Sequence, residues 1–390
     1  MTIRIPVGPQ HPALKEPERF IFYVEGEQIV KVIPRIGFNH RGIEKAMEER
    51  TYLQDLYISE RVCGICSNVH TACYVLLVER LMNMEIPERA KYIRMIVLEL
   101  ERLHSHLLWL GVAFHEIGFD TLFYLVWRDR EIVMDLLELI SGNRVNYATN
   151  TIGGVRRDIS EETKHKILKG MKLLLERLKY YRRLSPEEQT IVKRTLGVGP
   201  LSTQDAKRLC AAGPTLRASN VKSDVRGDEP YLLYKEAEFQ TMVSDLCDVL
   251  GRILVRIDEC IEAVRIIEWC VKNMPDGPIR QKLPPIFKVP ENQAYRRVEA
   301  PRGELVYYGV SDGSEKPYRI KIRTPTLANI PALCKMLENQ HIADIPIVVA
   351  SIDPCFSCTD RLVFIDIEKG KKWSCSMPYF KHLIKKKFGR

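Results

Sequence analysis

The stretch Ile93-Arg94-Met95-Ile96-Val97-Leu98-Glu99-Leu100-Glu101-Arg102-Leu103-His104-Ser105-His106-Leu107-Leu108-Trp109-Leu110 sets its apolar residues at three- and four-residue spacing. Ile93, Ile96, Val97, Leu100, Leu103, Leu107 and Leu110 fall along one stripe of a helix. The same period runs from about residue 40 to 275 and predicts further helices near 44–58, 64–83, 120–141, 160–182, 186–194 and 231–272. Residues 198–230 are poor in periodicity and rich in Gly, Pro, Asp and Ser, which predicts a long ordered loop. Pro275, Pro278, Pro284, Pro285 and Pro290 end the helical part.

At both ends the pattern changes. Phe20-Ile21-Phe22-Tyr23-Val24 and Ile29-Val30-Lys31-Val32-Ile33 flank Glu25-Gly26-Glu27, which reads as a hairpin. Glu304-Leu305-Val306-Tyr307-Tyr308 and Tyr318-Arg319-Ile320-Lys321-Ile322 predict a second hairpin around Ser311-Asp312-Gly313, with a helix near 327–337 after it. The expected class is mainly α with small β elements (α+β): a central long-helix bundle with N-terminal and C-terminal β-hairpins. One domain is expected over 1–390, divided into a β-rich segment 1–36, a helical core 37–275, a hairpin and Cys-containing segment 276–361, and a basic tail 362–390.

Apolar residues make up 45% of the chain and charged residues 28%, the balance of a soluble globular protein. No apolar run approaches the roughly 18–20 residues that span a bilayer. The start, Met1-Thr2-Ile3-Arg4-Ile5-Pro6, has no apolar core or cleavage site for export, so folding in the cytoplasm is expected. The net charge is +9, and the tail 362–390 holds eight Lys or Arg against Asp366 and Glu368. Elsewhere no basic stripe is interleaved with aromatics, which argues against a nucleic-acid partner.

There are eleven cysteines. A reducing cytosol makes disulfides improbable, and Cys73, Cys210, Cys247, Cys260, Cys270, Cys334 and Cys375 read as small core residues. The other four form two pairs, Cys63-Gly64-Ile65-Cys66 and Cys355-Phe356-Ser357-Cys358. Three-residue spacing in a tight turn or first helical turn points both sulfurs to one side. Zinc knuckles usually keep their pairs within a few tens of residues, whereas 288 residues lie between Cys66 and Cys355. A pocket built from both ends of the chain would lie in the middle of the fold. Four thiolates suit zinc, nickel, iron or an Fe–S cluster. A thioredoxin-like role is disfavoured, because no βαβ pattern surrounds either pair.

The flanks narrow this choice. Glu60-Arg61-Val62-Cys63-Gly64-Ile65-Cys66-Ser67-Asn68-Val69-His70 and Asp353-Pro354-Cys355-Phe356-Ser357-Cys358-Thr359-Asp360-Arg361 resemble the two Cys motifs of [NiFe]-hydrogenase large subunits. Arg361, where many members have His, resembles the membrane-bound, energy-converting group related to respiratory complex I. Gly8-Pro9-Gln10-His11-Pro12-Ala13-Leu14, Asn39-His40-Arg41-Gly42-Ile43-Glu44-Lys45, residues 98–111 and Pro301-Arg302-Gly303-Glu304-Leu305 extend the resemblance over nearly the whole chain. These stretches are shared with the quinone-reducing subunit of complex I, whose branches without hydrogenase activity lack some of the four thiolates.

The resemblance implies that Cys63, Cys66, Cys355 and Cys358 hold nickel. Cys66 and Cys358 would also bridge to an iron that carries CO and two cyanides. Glu16 matches a glutamate proposed for proton transfer. Arg323 and Thr326 resemble residues beside the iron's diatomic ligands, the arginine over the cluster and the hydroxyl donating to cyanide. His70 is open to three readings: a hydrogen bond to a cysteine sulfur, a place near a proximal cluster, or a core histidine. Glu44 matches a ligand of a structural Mg²⁺, but Arg361 replaces its usual histidine partner. His40 matches a quinone-site histidine of the complex I branch. His104 and His106 do not share a helix face.

The implied partners are a small subunit carrying a [4Fe-4S] cluster, further Fe–S and ion-translocating membrane subunits, ferredoxin, and nickel-insertion and protease maturation factors. The implied location is peripheral, on the cytoplasmic side of the membrane. Some relatives lose the tail by a cut that would fall near Arg361. Residues 362–367 also alternate like a strand, so removal and retention both stay open.

Overall fold

The computed structural model describes residues 1–284 and 286–359, together with 364–365, 372–373, 382, 385 and 386. β1 (Thr2–Val7), β2 (Arg19–Glu25) and β3 (Gln28–Arg35) form an antiparallel sheet in that order. The β2–β3 turn follows the expected hairpin, and Gly26 supplies the left-handed φ of 62°.

The expected helix over 44–58 is two helices, α1 (Ile43–Glu48) and α2 (Tyr52–Glu60). A capping box separates them. Gln54 N donates to Thr51 Oγ at 3.4 Å, and Thr51 N donates to Gln54 Oε1 at 3.1 Å. α3 (Ser67–Leu81) starts at Cys66, its N-cap. α4 (Glu88–Glu116) is the central helix, and all seven stripe residues are buried. Each contributes about 1.5–3 kcal/mol on removal from water.

α5 (Asp120–Ser141) packs on α4, and α6 (Glu161–Leu184) packs on α5. The helix Val249–Asn273 packs on both α4 and α6. It begins 18 residues later than periodicity predicts, because Asp248 caps it by accepting from Gly251 N at 2.8 Å. The preceding chain bends through left-handed residues Leu232, Glu238 and Cys247. The expected loop 198–230 carries three short helices, Thr203–Arg208, Pro214–Arg217 and Val225–Asp228.

The second sheet has three strands, Asn292–Ala300, Gly303–Ser311 and Pro317–Arg323, the first of them not anticipated. Helices Pro325–Leu337 and Ile345–Ser351 follow. Cys73, Cys260 and Cys270 are core residues as expected, whereas Cys210 is exposed at the left-handed end of a short helix. In the tail, 364–365 pairs antiparallel with 372–373. Arg361, the point near which a cut of the tail would fall, and Cys375 lie outside the described residues.

The chain ends meet. Ile29 N donates to Gln340 O at 2.9 Å, and Asn339 N donates to Ile29 O at 2.8 Å. Arg319 and Lys321 pair with Glu48 and Glu44 on α1, at 2.6 and 2.9 Å. These contacts bring the two Cys segments to one place.

Asp55 of α2 is fully buried. Burial pushes its carboxyl up to about 8, with the charge of Arg50 opposing. An unfolded carboxyl titrates near about 4. Between these values the folded chain holds a proton that the unfolded chain releases, so Asp55 makes stability fall as pH rises from about 4 to 8. Denaturant unfolding at pH 5 and pH 8 is expected to show this loss, and Asp55→Asn is expected to flatten it. An unchanged pH slope in the variant would refute the assignment.

Candidate metal centre

Cys63 and Cys66 occupy the turn between α2 and α3. Cys355 precedes, and Cys358 lies within, the one-turn helix Phe356–Thr359. Cys63 Sγ stands 3.3 Å from Cys355 Sγ, and the Cys63 thiol also meets those of Cys66 and Cys358. Exposures of 2%, 3%, 2% and 6% for Cys63, Cys66, Cys355 and Cys358 make the cluster dry.

Hydrogen bonds from Cys355, Cys358 and Cys66 pull the Cys63 thiol well below its usual value, against burial. The bonds given to Cys63, reinforced by burial, push Cys66 and Cys358 well above theirs. Cys355 is raised too, its bond with Cys358 outweighed by the one with Cys63 and by burial. The dry pocket opposes joint ionisation of the four thiols. Reaching four thiolates requires a cation that displaces the protons.

Among the described residues no three His, Cys, Asp or Glu side chains form a ready-made ion cage. The donor set itself, four soft sulfurs in a water-excluded pocket, fits a thiophilic metal such as nickel.

Two arginines hold the pocket. Arg41 donates to Arg61 O, Val62 O and Ser357 O, each at 2.7 Å, and so ties both Cys turns together. Arg302, at the tip between two strands of the second sheet, donates to Asp353 O at 2.7 Å and to Asp353 Oδ1 at 2.8 Å. Burial opposes its charge, but Asp353 and the sulfurs of Cys66, Cys355 and Cys63 hold its pKa well above the ordinary arginine value. Gly213 makes this tip possible: it has φ +67, and a Cβ there would lie 2.5 Å from Arg302 O. Asp353 is itself left-handed, with φ 53°, a conformation that Asp adopts more readily than most residues.

Glu16 lies against the second Cys turn. Ser357 N donates to its Oε2 at 2.9 Å and Ser357 Oγ to its Oε1 at 2.6 Å. Thr326 Oγ accepts from Cys355 N at 3.2 Å.

Other expected residues stand elsewhere. Arg323 is not over the thiols: its guanidinium pairs with Glu304 at 2.8 Å, and its side chain is 41% exposed. His70 Nδ1 meets Tyr307 Oη at 2.9 Å, which favours the core reading, and burial pushes its pKa down to about 4. Glu44 Oε2 accepts from Lys321 and Oε1 from Ile322 N at 3.0 Å. The Lys321 ammonium on Oε2 competes with a cation for this carboxylate. His104 accepts from Arg130, and His106 pairs with Glu259, at 3.0 and 2.9 Å, on separate partners.

Sequence reading passed over Arg41, Arg302 and Asp353, although each lies in a stretch that carried the resemblance. It also passed over Glu101, which accepts from Asn68 N and Val69 N at the start of α3, at 2.6 and 2.8 Å. Burial pushes that carboxyl up to about 8.

Two cavities reach the thiols. One, of about 180 Å³, touches Cys355 and is lined by Glu16, Arg302 and Asp353 on its charged side and by Ile65, Leu108 and Trp109 on its apolar side. The other, of about 190 Å³, touches Cys358 and is lined by His40, Arg41 and Lys45 among others.

A mainly helical bundle with small antiparallel sheets and a buried four-thiol pocket formed by both chain ends defines the class, and the chain belongs to the complex I 49 kDa-subunit family that also embraces the nickel-dependent hydrogenase large subunits. The family described as respiratory-chain NADH dehydrogenase, 49 Kd subunit, matches residues 116–289 and 285–361, and the nickel-dependent hydrogenase family matches 41–183.

Among particular proteins, the membrane-bound hydrogenase subunit alpha of Pyrococcus furiosus is 42% identical over 95% of this chain and 90% of its own length. The carbon monoxide-induced hydrogenase of Rhodospirillum rubrum is 39% identical over 92% of this chain and 99% of its own. A chain in the solved structure of the membrane-bound sulfane sulfur reductase, an archaeal respiratory membrane complex, superposes with a TM-score of 0.88 at 35% identity, covering 92% of this chain and 98% of that one.

Proposed function

We propose that this chain is the catalytic subunit of a [NiFe]-hydrogenase that interconverts H2 with two protons and two electrons. The observation that carries the reading is the convergence of Cys63, Cys66, Cys355 and Cys358 in one buried pocket. These four would hold nickel, and Cys66 and Cys358 would share an iron carrying CO and two cyanides. When bound, that group supplies the polarisation that splits H2 heterolytically and accepts its electrons.

The chain's own residues do the rest. Arg302 places a permanent cation beside the thiolates and offsets their charge in a dry pocket. Thr326 and Arg41 fix the backbone of the Cys turns. Glu16 is the proton acceptor: its carboxylate lies against Ser357, between the two cysteines of the second pair, and lines the cavity that touches Cys355. Glu16→Gln is expected to lower H2 evolution by about 10²–10⁴-fold while the metal content stays unchanged. Loss of metal, or unchanged turnover, would remove Glu16 from this role.

No helix among the described residues is long and apolar enough to cross a membrane, and the relatives belong to membrane complexes. The proposed setting is peripheral, on the cytoplasmic side. A small subunit with a [4Fe-4S] cluster would pass electrons to ferredoxin, and membrane subunits would move ions.

A second reading, a complex I-like oxidoreductase acting on a quinone or sulfur compound without hydrogenase activity, is supported by the cavity beside His40 and Cys358 and by the likeness to the sulfane sulfur reductase complex. Exchange of D2 with water protons by the purified complex separates the two: steady HD formation supports the first, and its absence in a metal-replete complex that reduces a quinone or sulfur compound supports the second.

A further inference from the structure

Helix α6 carries eight Lys or Arg against three Glu. Lys164, Lys166 and Arg182 are paired with Glu161, Glu162 and Asp258. Lys169, Lys172, Lys179 and Arg183 have no ion pair among the described residues, and their spacing puts them on one exposed stripe. Beside this stripe α5 and α6 approach closely at Gly170, where a Cβ would lie 2.9 Å from Leu136 Cδ1. Outward of that contact they part into a groove of about 720 Å³. Its floor is apolar, with Leu139 and Leu173 42% and 43% exposed. Lys166, Lys169 and Lys172 line one wall; of the two acids present, Asp135 is held by Arg144 at 3.0 Å.

We propose that this groove docks an acidic amphipathic helix from another subunit of the membrane complex. A concave trough between two helices suits the apolar face of a third helix, laid with leucine-like residues on Leu139 and Leu173. The unpaired lysines select a helix whose flanks are acidic. The chain's own tail is excluded as occupant by its charge, because residues 362–390 carry eight cations against two acids. A flat anionic bilayer would meet the lysine stripe but would not fill the trough. The inference does not depend on which reaction the four thiols support.

The test places the photo-crosslinking residue p-benzoylphenylalanine at Leu173, and in parallel at Leu139, in the purified intact complex, followed by mass spectrometry of the linked peptides. The expected product is one segment of another subunit, rich in Asp and Glu, with apolar residues three and four apart. Lys169→Glu combined with Lys172→Glu is expected to cut its yield at least about tenfold, as is high salt. Links to lipid only, to a second copy of the chain, to residues 362–390 or to a segment without acidic excess would overturn the proposal. So would the absence of any link at both positions.

Discussion

Cys355→Ser will give a chain that folds and binds almost no nickel. Cys355 Sγ touches Cys63 Sγ at 3.3 Å, and a hydroxyl preserves a donor at the same position. The backbone of Cys355 is held independently, its N–H donating to Thr326 Oγ and its carbonyl accepting from Thr359 Oγ. The fold should therefore lose no more than about 1 kcal/mol, the net worth of one hydrogen bond. The metal site has no such reserve. A serine hydroxyl does not ionise near neutral pH and offers a hard oxygen where a soft thiolate is needed. Nickel below about a tenth of the wild-type content and at least about a 10³-fold loss of H2 turnover are expected. Elemental analysis and an unfolding curve on the same preparation check both halves. Full nickel with undiminished turnover would remove Cys355 from the ligand set.

Arg302→Met will damage the fold as well as the chemistry. Arg302 and Asp353 are 3% and 4% exposed, and removing one partner leaves a buried charge without its counterion. A cost of about 3–5 kcal/mol is expected. Adding Asp353→Asn should recover much of that stability, since Asn also tolerates the left-handed backbone at 353 and carries no charge. The double variant should still lack H2 turnover, because the cation beside the thiolates is gone. Unfolding free energies of the four members of the cycle give the coupling directly. Independent, additive losses would show that the pair at 2.8 Å contributes nothing to stability.

The helical core was legible because its period is long and regular: the stripe from Ile93 to Leu110 is buried residue for residue. Boundaries were less so. The helix expected from 231 starts after Asp248, where a side-chain cap outweighs the apolar periodicity upstream. The strand Asn292–Ala300 escaped notice because Arg296 and Arg297 interrupt its apolar pattern and a proline-rich run precedes it.

At the site, the four cysteines were legible from their spacing and flanks. The arginine was not. Arg302 and Arg323 both stand at ends of strands in one sheet, and sequence gives no measure of which end faces the thiols. What decides it is the close approach of the Gly213 loop to the Arg302–Gly303 tip, a contact between segments about ninety residues apart in the chain. The cation beside Glu44 was hidden for a similar reason: Lys321, remote in sequence, folds onto it.

The most direct test of the central claim is metal analysis of the matured complex combined with infrared spectroscopy. The account predicts nickel and iron in equal amounts at this subunit, with CO and cyanide stretching bands that disappear when Cys66 or Cys358 is replaced by serine. Zinc alone, or no metal, with no such bands would contradict it.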